Sequence, residues 1–133
     1  MSDRGALLRS FASALAGFVV YGGWAWWVNS AHGEAMGLRA GLIQGSYSFA
    51  LTFGSTLLME GLYARLRTSF APRALTIGST GVLLLTVPIV IHMLAGTAEI
   101  LLTIAPGFAI GMVYTTVYVL ALAKLSNAPE ATP

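Results

Sequence analysis

Four long apolar stretches, separated by short polar connections, constrain this chain more than any other feature. They lie at about residues 8–28, 40–63, 74–95 and 100–123, and each has the roughly 20 residues that a helix needs to cross a hydrocarbon core. Only 9% of the residues are charged, against about 25% in soluble domains. The chain is therefore predicted to be an all-α membrane protein, a four-transmembrane-helix bundle with short loops.

The connections between these stretches are too short to hold a further domain. They cover residues 29–39, 64–73 and 96–97, so a single transmembrane domain is predicted over residues 1–125. Residues 126–133 contain two prolines and little apolar surface, and we expect them to form a flexible C-terminal tail.

The basic residues predict the orientation of the chain. Six of the seven would lie on the side of the two termini: Arg4, Arg9, Arg65, Arg67, Arg73 and Lys124. Only Arg39 would lie on the opposite side. Because Lys and Arg accumulate in cytoplasmic loops, both termini are predicted to be cytoplasmic. The six arginines against one lysine favour a bacterial source, and hence a multi-pass protein of the bacterial cytoplasmic (inner) membrane.

A secretory signal peptide is the alternative interpretation of residues 1–31. Arg4 and Arg9 resemble its charged region, and an apolar run follows them. That run is longer than in most signal peptides, and it ends in the tryptophans Trp24, Trp26 and Trp27 instead of small residues. A retained first helix is the better prediction.

The sequence gives little indication of an enzyme. The chain has no cysteine, which excludes thiol catalysis and thiolate metal sites, and it lacks HExxH, GxSxG and P-loop motifs. Its basic residues do not form the dense stripe that nucleic acid requires. We expect no catalytic residue, no metal and no cofactor. A lipid enzyme acting through His92 is the weaker alternative.

Small and polar residues share one face of the second helix and one face of the fourth. In lipid, such faces let helix backbones approach closely. The predicted packing residues are Gly37, Gly41, Gly45, Ser48, Thr52, Gly107 and Gly111. The leading hypothesis is a protein that works by helix–helix association, as a homo-oligomer or as an accessory subunit of a membrane complex, with the lipid bilayer and another membrane protein as partners.

The alternative hypothesis is a small transporter or channel with a polar path along helices two and four. Glu60 would be its proton or cation site, because an ionisable group within a membrane helix is costly to keep there without a function. The candidate ligand or ion residues are Glu60, Gln44, Tyr47, His92, Tyr114 and Tyr118. Two other roles stay open: an ion pair of Glu60 with Arg9 and Arg65, and an interfacial position for His92.

Overall fold

The chain folds into four long helices joined by short turns. A computed structural model describes the backbone of residues 3–126 and the side chains of residues 11–126. Within that range the structure contains no strand, and its helices are α1 (Asp3–Ser30), α2 (Glu34–Leu66), α3 (Pro72–Leu94) and α4 (Ile100–Ser126). The all-helical class predicted from the sequence is confirmed.

The helices extend beyond the predicted spans, most of all at α2. This helix begins at Glu34 instead of residue 40 and ends at Leu66 instead of residue 63. Gly33 precedes it with a φ of 115°, a conformation that only glycine adopts readily. At the other end of the chain α4 includes Ser126. Residues 127–133, the rest of the predicted tail, lie outside the described residues.

Three helices have the length and composition of membrane spans. Within the described residues these spans are Phe11–Ser30, Pro72–Leu94 and Ile100–Ser126, which supports a transmembrane helical protein. The longest helix, α2, is not among them, because its glycines and hydroxyl residues lower its apolar content. The prediction of four apolar spans therefore holds for three helices.

Helix α2 contacts each of the other three helices. It packs most closely against α1, and it also contacts α3 and α4; α3 packs against α4, and α4 also contacts α1. Consecutive helices run in opposite directions. The turns at residues 31–33 and 95–99 therefore lie at one end of the molecule. The turn at residues 67–71 lies at the other end, with the described ends of α1 and α4.

The contact between α1 and α2 is made backbone to backbone. A Cβ atom built on Gly41 would lie 2.9 Å from the carbonyl oxygen of Gly22 and 2.9 Å from the Cβ of Trp26. One built on Gly45 would lie 2.9 Å from the carbonyl oxygen of Phe18. These separations leave no room for a side chain, so only glycine allows the approach.

The glycines predicted to form a packing face on α2 therefore pack against another helix of the same chain. Gly37 continues the contact, because a Cβ there would lie 2.9 Å from the carbonyl oxygen of Trp26. With α1 covering these glycines, the neighbouring polar face of α2 turns toward α3 and α4, where Gln44 and Ser48 are buried.

We expect Gly41→Ala to destabilise the protein by about 1–3 kcal/mol, because the added methyl group overpacks the contact with Gly22 and Trp26. Thermal unfolding in detergent, followed by tryptophan fluorescence, measures the effect. Gly54→Ala is the matched control on the same helix, since nothing lies within 4 Å of a Cβ at that position. Equal melting temperatures for the two variants would contradict the backbone contact.

Candidate functional site: a polar cavity between the helices

A partly enclosed cavity of about 370 Å³ lies between the four helices. Along α2 its lining runs from Gln44 to Leu58, which corresponds to about 21 Å at 1.5 Å per residue. The cavity is thus long, and it covers much of the roughly 30 Å thickness of a hydrocarbon core.

The polar side chains that line the cavity are uncharged. Apart from Gln44, its polar side chains all carry hydroxyl groups: Ser13, Tyr21, Tyr47, Ser48, Thr52, Ser55, Thr80, Tyr114 and Thr115. Leucine, isoleucine, proline and phenylalanine side chains and two glycines complete the wall, and none of the lining residues is Asp, Glu, Lys, Arg or His. The interior therefore offers hydrogen bonds without offering a charge.

The packing residues predicted on the second and fourth helices divide between two roles. Gly37, Gly41 and Gly45 hold α1, as described above, whereas Ser48 and Thr52 line the cavity. The two glycines predicted on helix four also line it. Gly107 faces the Gln44 amide, whose Nε2 would lie 3.5 Å from a Cβ at that position, and Gly111 faces Leu84.

One end of the cavity is closed by a buried chain of three side chains. Gln44 Oε1 lies 2.9 Å from His92 Nε2, and His92 Nδ1 lies 2.8 Å from Thr97 Oγ1. His92 has no exposed surface, and Gln44 is 2% exposed. The structure thus brings together Gln44 and His92, both among the predicted ligand or ion residues, and joins them to the turn between α3 and α4.

The orientation of the Gln44 amide in the structure sets the direction of these hydrogen bonds. Because Gln44 Oε1 carries no hydrogen, His92 Nε2–H must donate to it. In the neutral imidazole, Nδ1 then accepts from the hydroxyl of Thr97. The Nε2 amide group of Gln44 is left on the cavity side, facing Gly107. It donates to no acceptor among the described residues.

Thr80 contributes a second polar atom without a partner. Its side chain is 2% exposed and lines the cavity, and its Oγ1 is the one buried side-chain atom without a hydrogen bond in the described part of the chain. An unpaired buried hydroxyl costs about 1–3 kcal/mol. Such a cost sets Thr80 apart from the other threonines of α3, Thr76 and Thr86, whose hydroxyl groups bond the backbone.

The other end of the cavity leads to a tyrosine pair on α4. Tyr114 lies 3.5 Å from Thr56 through the two hydroxyl oxygens, and Tyr118 donates to Glu60 Oε1 at 2.6 Å. The two tyrosine rings are 5.9 Å apart. Beyond them Glu60 borders an open cleft of about 700 Å³, which two arginines, Arg67 and Arg73, also line.

The structure places Glu60 against Tyr118 and does not bring it together with Arg65. No salt bridge joins Glu60 to Arg65 in the described part of the chain, and Glu60 is exposed. The side chain of Arg9, the other predicted partner, lies outside the described residues. The hydrogen bond to Tyr118 is the contact that the structure gives this carboxylate.

A polar cluster ties the two turns together at the end of the molecule near His92. The buried Asn29 donates to Thr103 Oγ1 at 2.7 Å and accepts from the backbone N–H of Glu99 at 3.0 Å. His32 Nε2 lies 2.9 Å from Glu99 Oε1, and Trp24 Nε1 donates to the carbonyl oxygen of Leu102 at 2.9 Å. This cluster holds the start of α4 against the end of α1.

Sequence reasoning missed Thr80 and the Asn29 cluster. For Thr80 a signal existed: the buried face of α3 includes Thr76, Thr80, Leu84, Pro88 and His92 at intervals of four residues. For Asn29 no signal existed, because a polar residue at the end of a span is equally typical of an exposed loop and of a buried hydrogen-bonding position.

The described residues contain no group of three His, Asp or Glu side chains that could hold a metal ion. Comparisons with protein-family models, with curated protein sequences and with solved structures find no match for this chain. The chemistry of the cavity is therefore the basis for any functional proposal.

We expect His92→Leu to lower the free energy of unfolding by about 1–3 kcal/mol for each polar group left unpaired, because Gln44 and Thr97 both lose their partner. His32→Ala is the control, since its pair with Glu99 is exposed and contributes about 0–1 kcal/mol. Thermal unfolding in detergent compares the two. A larger loss for His32→Ala than for His92→Leu would contradict the assignment of the buried chain.

Proposed function

We propose that this protein is a small multi-pass membrane transporter or channel whose path runs along α2 and α4. The observation that supports the proposal is the long, hydroxyl-lined cavity between helices of membrane-spanning length. In lipid, polar groups away from water raise the free energy of the protein unless they have hydrogen-bond partners. A pathway for a polar solute would explain why the protein keeps such groups in its interior.

The path proposed here extends from the Gln44 end of the cavity past Tyr114 and Tyr118 to the cleft at Glu60. All four helices would cross the membrane, and α2 tolerates its lower apolar content because its polar face points inward. Glu60 is the proposed proton or cation site, since its carboxylate borders the cleft and touches the last tyrosine.

The proposed location is a bacterial inner membrane with both termini in the cytoplasm. The support is the distribution of basic residues, six on the side of the termini against one on the other. A cysteine introduced at Ser69, in the turn after α2, should react with a membrane-impermeant thiol reagent only in opened cells, and one at Ala31 should react in intact cells. The reverse pattern would overturn this orientation.

Association between copies or with a partner protein stays a prediction with less support. The main reason to expect association was the row of glycines on α2, and α1 already packs against those glycines. An oligomer would have to use another face, such as the one carrying Gly54 and Gly61, where nothing lies within 4 Å of a Cβ. The mass of the protein in nanodiscs decides between a single copy and an oligomer.

We expect the purified protein to accelerate the flux of at least one small solute into proteoliposomes, and Gly107→Leu to lower that rate toward that of protein-free vesicles. The Cβ at this position fits against Gln44 and Tyr21, so the rest of the leucine side chain must fill the cavity. Stopped-flow light scattering and ion-selective electrodes measure neutral solutes and ions in turn.

Gly54→Leu is the matched control for Gly107→Leu, because it adds the same side chain on the outer face of α2. It should leave the rate unchanged. A Gly107→Leu variant that folds and transports like the wild type would show that the path does not run through the cavity.

We expect Glu60→Gln to abolish the dependence of flux on a pH or cation gradient while preserving the fold, since glutamine can still accept the hydrogen bond from Tyr118. The same vesicles, with and without the gradient, provide the measurement. Gradient-dependent flux that survives this substitution would remove Glu60 from the proposed coupling role.

A further inference from the structure

The open cleft of about 700 Å³ lies at the end of the bundle that carries the turn at residues 67–71. It is bounded by the end of α2, this turn, the start of α3 and the end of α4. Its lining contains two arginines, Arg67 and Arg73, and one acidic residue, Glu60. Unlike the cavity within the bundle, the cleft therefore presents charged groups to a guest.

The two arginines reach the cleft from different helices. Arg67 is the C-terminal cap of α2, and Arg73 is the second residue of α3. The one salt bridge among residues 11–126 joins His32 to Glu99, so within that range no carboxylate pairs with either arginine. A guanidinium group presents a planar fork of N–H donors that matches two oxygens of a phosphate group. Two such forks at one cleft favour an oxyanion as the guest.

The start of α3 adds backbone donors at the same place. Pro72, the first residue of this helix, lines the cleft, and the N-terminal cap Ala71 provides no side-chain oxygen. The backbone N–H groups of Arg73 and Ala74 consequently have no acceptor in the part of the chain that the structure describes. The positive end of a helix dipole attracts anions, and here it lies beside the two arginines.

Glu60 does not cancel the positive charge of the cleft. One carboxylate against two guanidinium groups leaves the lining with a net charge of +1. Glu60 Oε1 also accepts a hydrogen bond at 2.6 Å from Tyr118, which is not part of the lining. The charges therefore favour an anion beside the arginines. Such an anion would also weaken their repulsion of a cation at Glu60.

The surroundings of the cleft indicate a lipid as the source of the anion. Phe70 lies in the turn between the two arginines and is 95% exposed, so its ring has almost no contact within the protein. At the boundary of a bilayer such a ring would bury its apolar surface among lipids. The span Pro72–Leu94 begins at the cleft. The cleft thus lies at the depth of the lipid headgroups, where basic pockets between helices bind phosphate.

We propose that this cleft binds the headgroup of an anionic phospholipid, whose phosphate contacts Arg67 and Arg73 and bridges the end of α2 to the start of α3. The site goes beyond the proposed transport function and does not depend on it. The probe is dioctanoyl phosphatidylglycerol, which carries one phosphate and no positive charge that the arginines would repel.

Native mass spectrometry of the full chain in detergent measures binding of this lipid. We expect Arg67→Gln and Arg73→Gln each to weaken binding roughly fivefold, the upper end for an exposed ion pair. Arg67→Lys keeps the charge and loses the planar fork, so it should restore only part of the affinity. By linkage, the lipid should raise the melting temperature of the wild type more than that of the double glutamine variant.

Arg65→Gln is the matched control. It removes the same charge from the same end of α2, but Arg65 does not line the cleft. If the arginines only oriented the chain in the membrane or attracted anionic lipid without a defined site, Arg65→Gln and Arg67→Gln would weaken binding equally. We expect Arg65→Gln to bind the lipid within twofold of the wild type.

Three results would overturn the proposal. Equal losses of binding in Arg65→Gln and Arg67→Gln would reduce the arginines to a diffuse basic surface. Equal binding of dioctanoylglycerol, which has the same chains without the phosphate, would show that the chains alone are recognised. Displacement of the lipid by an equal concentration of glycerol phosphate would assign the site to a free phosphate ester. None of these results bears on transport, which the flux of Gly107→Leu tests separately.

Discussion

The direct backbone contact between α1 and α2 is the constraint on which the rest of the structure depends. Gly22, Gly41 and Gly45 bring the two helices together without intervening side chains. In lipid, where apolar burial provides little net drive between helices, such close packing and weak Cα–H···O contacts supply the association energy. Once α1 covers the glycine face, the polar face of α2 has to point toward α3 and α4.

That orientation buries polar groups of α2 inside the bundle, and only some of the buried polar groups have hydrogen-bond partners. Near the turn between α3 and α4, Gln44, His92 and Thr97 satisfy one another, and Asn29 and Thr103 do the same at the start of α4. The buried Thr80 hydroxyl and the Nε2 amide group of Gln44 have no hydrogen-bond partner among the described residues. The polar interior is therefore only partly paired within the protein.

The sequence predicted the helical class and the approximate helix positions because hydropathy and turn residues are local signals. It also marked Gln44 and His92 as candidate ligand or ion residues, and the structure joins them. It could not reveal which helix covers the Gly41 stripe, since a glycine face fits a neighbouring helix of the same chain as well as it fits a second copy.

The unpaired state of Thr80 was beyond sequence reasoning for a different physical reason. A threonine in a helix has a partner available in its own backbone, and only the three-dimensional arrangement shows that Thr76 and Thr86 use that partner and Thr80 does not. The pairing of Glu60 with Tyr118 instead of a basic residue likewise depends on the register between α2 and α4. Register between helices of distant sequence is set by packing, which no local pattern encodes.

The most direct test of a water-filled path is the reactivity of a single cysteine placed in it, because the chain contains no native cysteine. Ser55→Cys would line the cavity, and Leu57→Cys would face outward from the same helix, where the leucine is 72% exposed. Thiol reagents attack the thiolate, which needs water. In proteoliposomes we expect fast modification of Ser55→Cys by a small hydrophilic thiosulfonate and slow modification of Leu57→Cys. Equal protection of both cysteines, or faster reaction at position 57, would contradict a polar path through the protein.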